Sequence, residues 1–498
     1  MLGTWRCHAD FRNNFVVSMK RYFIHTPERV EAFNSSLTKV YLMDFDPIKP
    51  YMEKVYPNFG RPSNQVPEIL RSFFFMLDQK ETSITKWVRK LSSDPFLAAI
   101  IGCTIKSVPS IDAHYNLIDH LWLEAPKVFL EASKLMHMPK SKPKSKKKLK
   151  QNEKYNSNKK RAVESIAEFA LAGRSLENRP ELLLQKLFAL CIVHKSHSLG
   201  LVPYDDGITL SGDGTCFEAF SSPYGTKECT CKSKGIYKCD CPRRFSDPDA
   251  RWGWDSYEEK WFFGHTIHTN CCHNSSLGLD LPLYLRVVQA QRHDSATALF
   301  TLSEFRALYP NLSIKYFLYD SACDNYPTYN LLSKWNIIPI IPLNVRGKGT
   351  GKLPQASSFS DAGVPLCPNG HMMTNWGFCK NRNRIKWRCP QITGHICYCN
   401  NADSCSKSAY GRVIYTKPSD DPRLFTIVPR DSKAWFNLYK ERTACERVNK
   451  RILHDYKISS LRSRGKKRLS FFITLASANI HADAWFKTQN FNFLDLLK

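Results

Sequence analysis

The sequence predicts an α/β fold: a mixed β-sheet flanked by helices, with a helical N-terminal domain before it and a Cys-rich insertion before the late helix at 439–457. Three observations carry this. From residue 207 onward, short apolar, β-branched and aromatic runs appear and then alternate with helical patterns. From Pro67 to about Met138 the pattern is helical, in short capped segments. Between 344 and 430 the chain is loop-rich and holds six cysteines, and a loop of that length needs a reason of its own.

In chain order, residues 1–66 are mixed and aromatic-rich, with turn chemistry at Asn58–Ser63. Pro67–Leu77 starts with proline, which suits a first helical turn. Ser83–Leu91, Ser93–Ile101, Ser110–Trp122 and Ala125–Leu135 continue the helical series, so 1–138 reads as a helical domain; its short helices and basic loops suit DNA binding, and a plain helical accessory domain fits these residues nearly as well. Residues 139–178 read as a basic linker. Its run Pro139–Lys150, continuing to Lys160 and Arg161, repels itself into an extended segment able to neutralise phosphates. The span 179–343 opens with a buried helix, Arg179–Val193. Strands are expected at Ile208–Thr215, Trp261–Thr269, Leu281–Gln289, Ile314–Tyr319 and Ile337–Leu343, with helices at Ser295–Tyr309 and Tyr326–Trp335. The insertion 344–430 follows. The span 431–498 carries a helix over Tyr439–Lys457, basic Arg462–Arg468 and an apolar helix, Leu469–Phe486.

The net charge of +27 points to a polyanion, nucleic acid first. No apolar run of about 18 residues is present, so no membrane span is expected. The first ten residues lack the apolar stretch of a signal peptide. The 18 cysteines are therefore expected in a reducing, intracellular compartment, as thiols or metal ligands.

In the segment 439–457, Cys445, Val448, Ile452 and Tyr456 form an apolar stripe at helical spacing. Tyr439, Arg442, Glu446, Lys450 and Lys457 form another, with one carboxylate among cations. A plain surface helix with Arg442–Glu446 and Glu446–Lys450 pairs explains it equally well. Two distant acids tip the balance: Asp213 closes the run Gly207–Thr215, and Asp320 follows the strand Ile314–Tyr319. Two aspartates and one glutamate brought together make an all-oxygen site for Mg²⁺. Asp213 has a rival reading as an Asp-Gly turn. Asp324 competes with Asp320, and Glu441 competes with Glu446 but is off the Arg442 spacing. Asp205, Asp206, Asp247 and Asp249 read as loop residues.

Two cysteine groups are candidates for structural Zn²⁺, against a plain reading as reduced thiols. One is Cys229-x-Cys231 with Cys239-x-Cys241. The other lies in the insertion, where Cys367, Cys379, Cys389, Cys397, Cys399 and Cys405 occur with His371 and His395, and Cys367, Cys389, Cys399 and Cys405 are the chosen four.

The segments Gly212–Thr215, Tyr319–Asp324 and Tyr439-x-x-Arg442-x-x-x-Glu446 resemble the three motifs of DDE transposases of bacterial insertion sequences, more narrowly the group with a Tyr-Arg-Glu-Lys motif. Gly264–His268 is similar to that family's Gly-x-Lys-x-His strand, without its lysine. Gly60–Pro62, the helices after it and Val108–Ser110 resemble the family's N-terminal domain. The resemblance covers roughly residues 55–135 and 200–485. It implies an RNase-H-like catalytic domain that cuts and transfers DNA strands at inverted-repeat ends. Carried over by position, Asp213, Asp320 and Glu446 hold two Mg²⁺ (or Mn²⁺) ions, and Tyr439 and Arg442 hold DNA backbone. The motif's lysine falls at Leu453, so Lys450 or Lys457 takes its place. The resemblance also implies double-stranded DNA as partner, a homodimer on DNA, and a cytoplasmic, nucleoid-associated protein. The alternatives are an inactive, transposase-derived DNA binder or a nuclease of the same fold.

Overall fold

The strand-forming runs after residue 207 assemble one six-stranded mixed sheet in the computed structural model, which describes residues 1–123, 134–136, 161–173, 179–203, 207–344, 359–360, 362–396, 399–400, 405–489 and 491–498. The lysine run after Pro139, Asp205, Asp206 and Cys397 lie outside the described residues. The strands are β1 (Ile208–Glu218), β2 (Arg251–Asp255), β3 (Lys260–Asn274), β4 (Leu279–Gln289), β5 (Ile314–Leu318) and β6 (Ile338–Ile340). β3 pairs antiparallel with β1, β2 and β4, whereas β5 lies parallel to both β1 and β6. An antiparallel meander followed by parallel crossover strands is the RNase-H-like order. β2 was not expected as a strand. It forms a hairpin with the first residues of β3, and its tryptophans Trp252 and Trp254 lie exposed.

Within the N-terminal region, read as a helical domain, the first 66 residues carry more helix than their mixed pattern marks. Residues 1–66 are helical, with α1 (His8–His25) and α2 (Asn34–Leu42) as the longer elements. The aromatics that look like a mixed composition are the inner face of a helix: Phe11, Phe15 and Met19 recur four apart and are buried. α3 (Val66–Asp78), α4 (Ile84–Ser93) and α5 (Ile111–His120) follow; Ser83 and Ser110 cap the last two. The helix expected to reach Leu135 does not do so. Lys134–Met136 is a strand paired with Arg243–Phe245, and 125–133 lie outside the described residues. Within the expected linker, α6 (Ala162–Leu171) packs Val163, Ala167 and Ala170 against Leu299 and Leu331.

α7 (Leu182–Phe188) leads into β1. α8 (Asp294–Leu308) and α9 (Tyr326–Lys334) are the crossovers around β5. Late in the chain come α10 (Lys433–Lys440), α11 (Thr443–Lys450) and α12 (Lys466–Thr488). α12 is buried almost all round, as a helix between two layers must be. On one side Phe471 meets Phe73 at 4.7 Å and Asn479 donates to the Phe74 carbonyl at 3.2 Å. On the other, His481 sits 2.7 Å from the Pro282 carbonyl. One apolar core thus runs from the N-terminal helices through α12 to the sheet.

The insertion has its own antiparallel sheet of β7 (Thr374–Cys379), β8 (Arg384–Arg388) and β9 (Val413–Thr416). Its core is small: Val364, Cys367, Met373, Ile385 and Trp387. Arg430 fastens its far end, donating to the Ile341 carbonyl at 2.8 Å and to Tyr329 Oη at 2.9 Å. Among the described residues no helix is long and apolar enough to cross a membrane.

Candidate active site

Asp213 lies inside β1, not at a turn: it pairs with Thr269 of β3, and the strand runs on to Glu218. The flanking glycines have a steric cause. A Cβ at Gly212 would come within 2.6 Å of the Tyr319 ring, and one at Gly214 within 2.9 Å of the His268 ring. The parallel β1–β5 register sets Ser211 beside Leu318. The register ends there, two residues short of both Asp213 and Asp320, and the Asp320 charge is felt at Asp213. Asp320 caps a short 3₁₀ turn, accepting from the Ala322 amide at 3.0 Å.

Asp320 and Asp324 differ in their surroundings. Asp324 is fully buried and saturated. Its oxygens accept from Arg423 Nε (2.8 Å) and Nη2 (2.6 Å), from Tyr329 Oη (3.0 Å) and from the Asn344 amide (2.6 Å). It ties the insertion to the turn that carries Asp320 and has no oxygen to spare. Glu441 is half-buried; its carboxyl is raised by burial, with His273 and a hydrogen bond from Thr209, four residues before Asp213 on β1, opposing the rise. Asp247 is not a free loop acid either. It is buried and holds His265 (3.1 Å), the Ala250 amide (3.2 Å) and the Gly465 amide (3.0 Å).

α11 docks on β1 and β3 through Cys445, whose Sγ lies 3.2 Å from the Ser211 carbonyl and 3.5 Å from that of Thr269. Cys445, Val448, Ile452 and Tyr456 are all buried. Glu446, one residue on, is turned outward, half-exposed and ion-paired with Arg442 at 2.5 Å. The segment 439–457 is not one regular helix. It tightens to i→i+3 bonds around Arg442, widens to a π turn at Arg451–Asp455, and ends at Lys457 with φ at +56°. Tyr439 therefore belongs to α10, stacked 4.7 Å from Trp435, with the Arg442 guanidinium 5.7 Å from its ring. Lys450 and Lys457 are both exposed, and Lys457 lies beyond the helix.

Burial pushes the Asp213 carboxyl up to about 6; Arg442 and His268 oppose the rise, and Asp320 and Glu446 add to it. The Asp320 carboxyl is also raised, by burial first and then by Asp294, with the Ala322 amide, Arg442 and His268 opposing. The three acids thus share one electrostatic neighbourhood. They do not close on a point: among the described residues the only set of three or more ligand atoms within 4.8 Å of one another is Cys229, Cys231, Cys239 and Cys241. Glu446 is engaged by Arg442 and half-exposed.

Three neighbours escaped the sequence reading as site residues. Asn449 accepts from Thr269 Oγ1 at 2.8 Å and points Nδ2 at Asp213 Oδ2, 3.5 Å away. Its only signal was a buried amide beside the apolar stripe. On the opposite face of the sheet, His268 lies 3.3 Å from both Tyr319 Oη and Asp294 Oδ1. Asp294 lies one residue before the helix expected from Ser295, and nothing local marks it.

The first cysteine set is compact. Cys229 and Cys239 sulfurs are 3.5 Å apart, as are those of Cys231 and Cys241. That is too long for a disulfide and close to the edge of about 3.8 Å in a tetrahedron with Zn–S of about 2.3 Å. The Cys231 amide, followed by Cys239, draws the Cys229 thiol down to about 7, whereas Cys241 and Cys229 push Cys231 up to about 12. In the insertion, Cys367, Cys389, Cys399 and Cys405 line one small cavity of about 70 Å³. Asn369 Nδ2 donates to Cys399 Sγ at 3.1 Å. Cys379 is exposed and apart, and His371 and His395 line a different cleft.

No curated protein matches the chain. The family model described as transposase DDE domain matches residues 209–480, more than half of the chain. Because that match runs from β1 into α12, taking in every element that carries Asp213, Asp320 and Glu446, the chain belongs to the DDE transposase family.

Proposed function

We propose that this transposase cuts and joins DNA strands at the inverted-repeat ends of an insertion sequence, with Asp213, Asp320 and Glu446 as its catalytic acids. The single observation supporting this most strongly is the β1–β5 register, whose last pair, Ser211 with Leu318, lies two residues before Asp213 and Asp320, with the helix bearing Glu446 docked on the Ser211 carbonyl through Cys445. DDE transposases use divalent metal ions. Three carboxylates and no softer donor suit Mg²⁺ or Mn²⁺. Bound there, a pair of such ions supplies activation of a water or 3′-hydroxyl and neutralises charge at the phosphate. The protein's part is to bring Glu446 inward. Its side chain is half-exposed, so leaving Arg442 costs little. Arg442 is then free for a bidentate phosphate contact, braced over Tyr439. Lys450 and Lys457 add phosphate contacts in place of the lysine that Leu453 replaces, and the chain falls in the Tyr-Arg-Glu-Lys group. The protein works as a homodimer on DNA, in the cytoplasm on the nucleoid.

The test uses a duplex carrying the DNA that flanks the gene. Nicking and joining are expected with Mg²⁺, and neither with EDTA. Cleavage that persists in EDTA, or no cleavage with either Mg²⁺ or Mn²⁺, overturns the reading; binding alone would mark an inactive DNA binder, and cleavage without joining a nuclease. Arg442→Ala is expected to weaken binding of that duplex roughly 10–100-fold, the scale of a lost charge-assisted hydrogen bond of about 1.5–3 kcal/mol. Unchanged affinity on titration would remove Arg442 from the DNA path.

A further inference from the structure

Between the N-terminal helices and the segment that follows the Glu446 helix lies a cleft of about 600 Å³. Residues leading into α4 form one wall, and residues 460–468 form the other. Three cations stand around it: Lys86, Arg462 and Arg468, all exposed. The basic segment divides its charges sharply. Lys466 pairs with Glu181 at 3.0 Å, Lys467 pairs with Asp119, and Arg464 donates to the Phe220 carbonyl at 3.2 Å. Arg462 and Arg468 have no carboxylate within 4.0 Å among the described residues, and neither has Lys86.

Both arginines are braced rather than loose. The Arg462 guanidinium lies 5.6 Å from the Phe220 ring and that of Arg468 lies 5.0 Å from Tyr115. A guanidinium held on an aromatic face keeps its fork of donors pointing outward, so less freedom is lost when it meets a phosphate. Glu81 is the one acid in the cleft. Its Oε1 already accepts from the Thr82 and Ser83 amides, at 2.9 and 2.7 Å. What remains is a concave strip with an excess of two positive charges, hydroxyls on both walls and an apolar floor of Leu461 and Phe472.

We infer that this cleft holds the phosphodiester backbone of double-stranded DNA, as a docking site separate from the acids and independent of sequence. The inference rests on the transposase reading for the identity of its polyanion. Because the segment 460–468 follows directly on the helix that carries Glu446, DNA held there is anchored to the same element that must bring Glu446 inward.

The experiment measures anisotropy of a labelled random-sequence 30-base-pair duplex with the full chain, in EDTA, across a salt series. Each phosphate contact contributes about 0.9 to the slope of log affinity against log salt. Arg462→Gln with Arg468→Gln is expected to lower the slope by about 1.8, and Lys86→Gln alone by about 0.9. Lys20→Gln with Arg21→Gln, two exposed cations on α1 with the same charge change, is expected to leave the slope as it was. An unchanged slope in the cleft variants overturns the inference. So does an equal fall in the α1 pair, which would make the effect one of overall charge. Cleavage plays no part in this readout: a slope that falls as expected, in a protein that never nicks DNA with Mg²⁺, supports the cleft and sinks only the catalytic proposal.

Discussion

Asp320→Asn is expected to abolish strand cleavage while leaving the melting temperature near wild type, and Asp324→Ala, four residues on, is expected to unfold the protein more readily. The two carboxylates differ in what surrounds them. Asp320 takes one backbone hydrogen bond, from Ala322, and an asparagine oxygen can accept the same bond. Burial already holds its carboxyl above the usual range, so the ionised form is disfavoured by folding and replacing it with a neutral amide costs no stability near neutral pH. What is lost is a metal-binding charge. Several kcal/mol of transition-state stabilisation corresponds to a fall of about 10³-fold or more in nicking rate. Asp213→Asn and Glu446→Gln are expected to behave alike. Asp324, in contrast, is fully buried and is the only carboxylate that the Arg423 guanidinium pairs with among the described residues. Removing it strands a buried cation, a loss of about 3–5 kcal/mol. Thermal melting and a nicking assay on the same preparations separate the two effects. Wild-type nicking by Asp320→Asn would dismiss it as a catalytic acid, and a normal melting point in Asp324→Ala would dismiss the anchor.

How much of this was legible follows from where the information lies along the chain. The sheet strands were readable because each is a local run of apolar or aromatic residues. Their ends were not: β3 runs from Lys260 to Asn274, well beyond the stretch its hydrophobicity marks. Gly212 and Gly214 fall within the expected strand Ile208–Thr215, against a rival reading as an Asp-Gly turn, and they are strand residues. Their small size serves the Tyr319 and His268 rings, contributed by strands more than fifty residues away, and no local rule can find that. The stripe Cys445, Val448, Ile452, Tyr456 was readable. The breaks at Arg442 and Arg451–Asp455 were not, because a tightened turn and a widened one largely cancel and leave the stripe in place. Phe11, Phe15 and Met19 carried a helical period that the surrounding aromatic composition hid. Asp294 reaches the His268 side of the sheet only through the α8 crossover, and the saturation of Asp324 depends on Arg423, 99 residues away. Spacing distinguishes Asp320 from Asp324 by register alone; that Asp324 is fully engaged by Arg423, Tyr329 and Asn344 is visible only in the fold.

Cys239→Ser is expected to release one equivalent of zinc and to open the segment 226–245 to protease, with little change in the main melting transition. The reasoning starts from what that segment lacks. It contains two short strands, Thr226–Lys227 and Arg243–Phe245, and one 3₁₀ turn at Lys232–Lys234. None of its residues belongs to the core that joins the helices to the sheet. A loop without a core has little to offset its conformational entropy, and a tetrahedral metal can do so where hydrophobic burial cannot. Its four thiols, already within 4.8 Å of one another, supply the ligands. Because the sheet does not lean on this loop, its loss is local unfolding. Trypsin reads it directly: Lys227, Lys232, Lys234, Lys238, Arg243 and Arg244 all lie in the segment. Cys367, Cys389, Cys399 and Cys405 share a cavity, but no three of their sulfurs come within 4.8 Å of one another. Elemental analysis of wild type is therefore expected to find one zinc ion per chain, kept in Cys405→Ser and lost in Cys239→Ser. Wild type with no bound zinc and freely titrating thiols would remove the site. A second equivalent, lost only with Cys405→Ser, would mean that the insertion closes around a metal of its own rather than being held by its five-residue core and the Arg423 and Arg430 anchors.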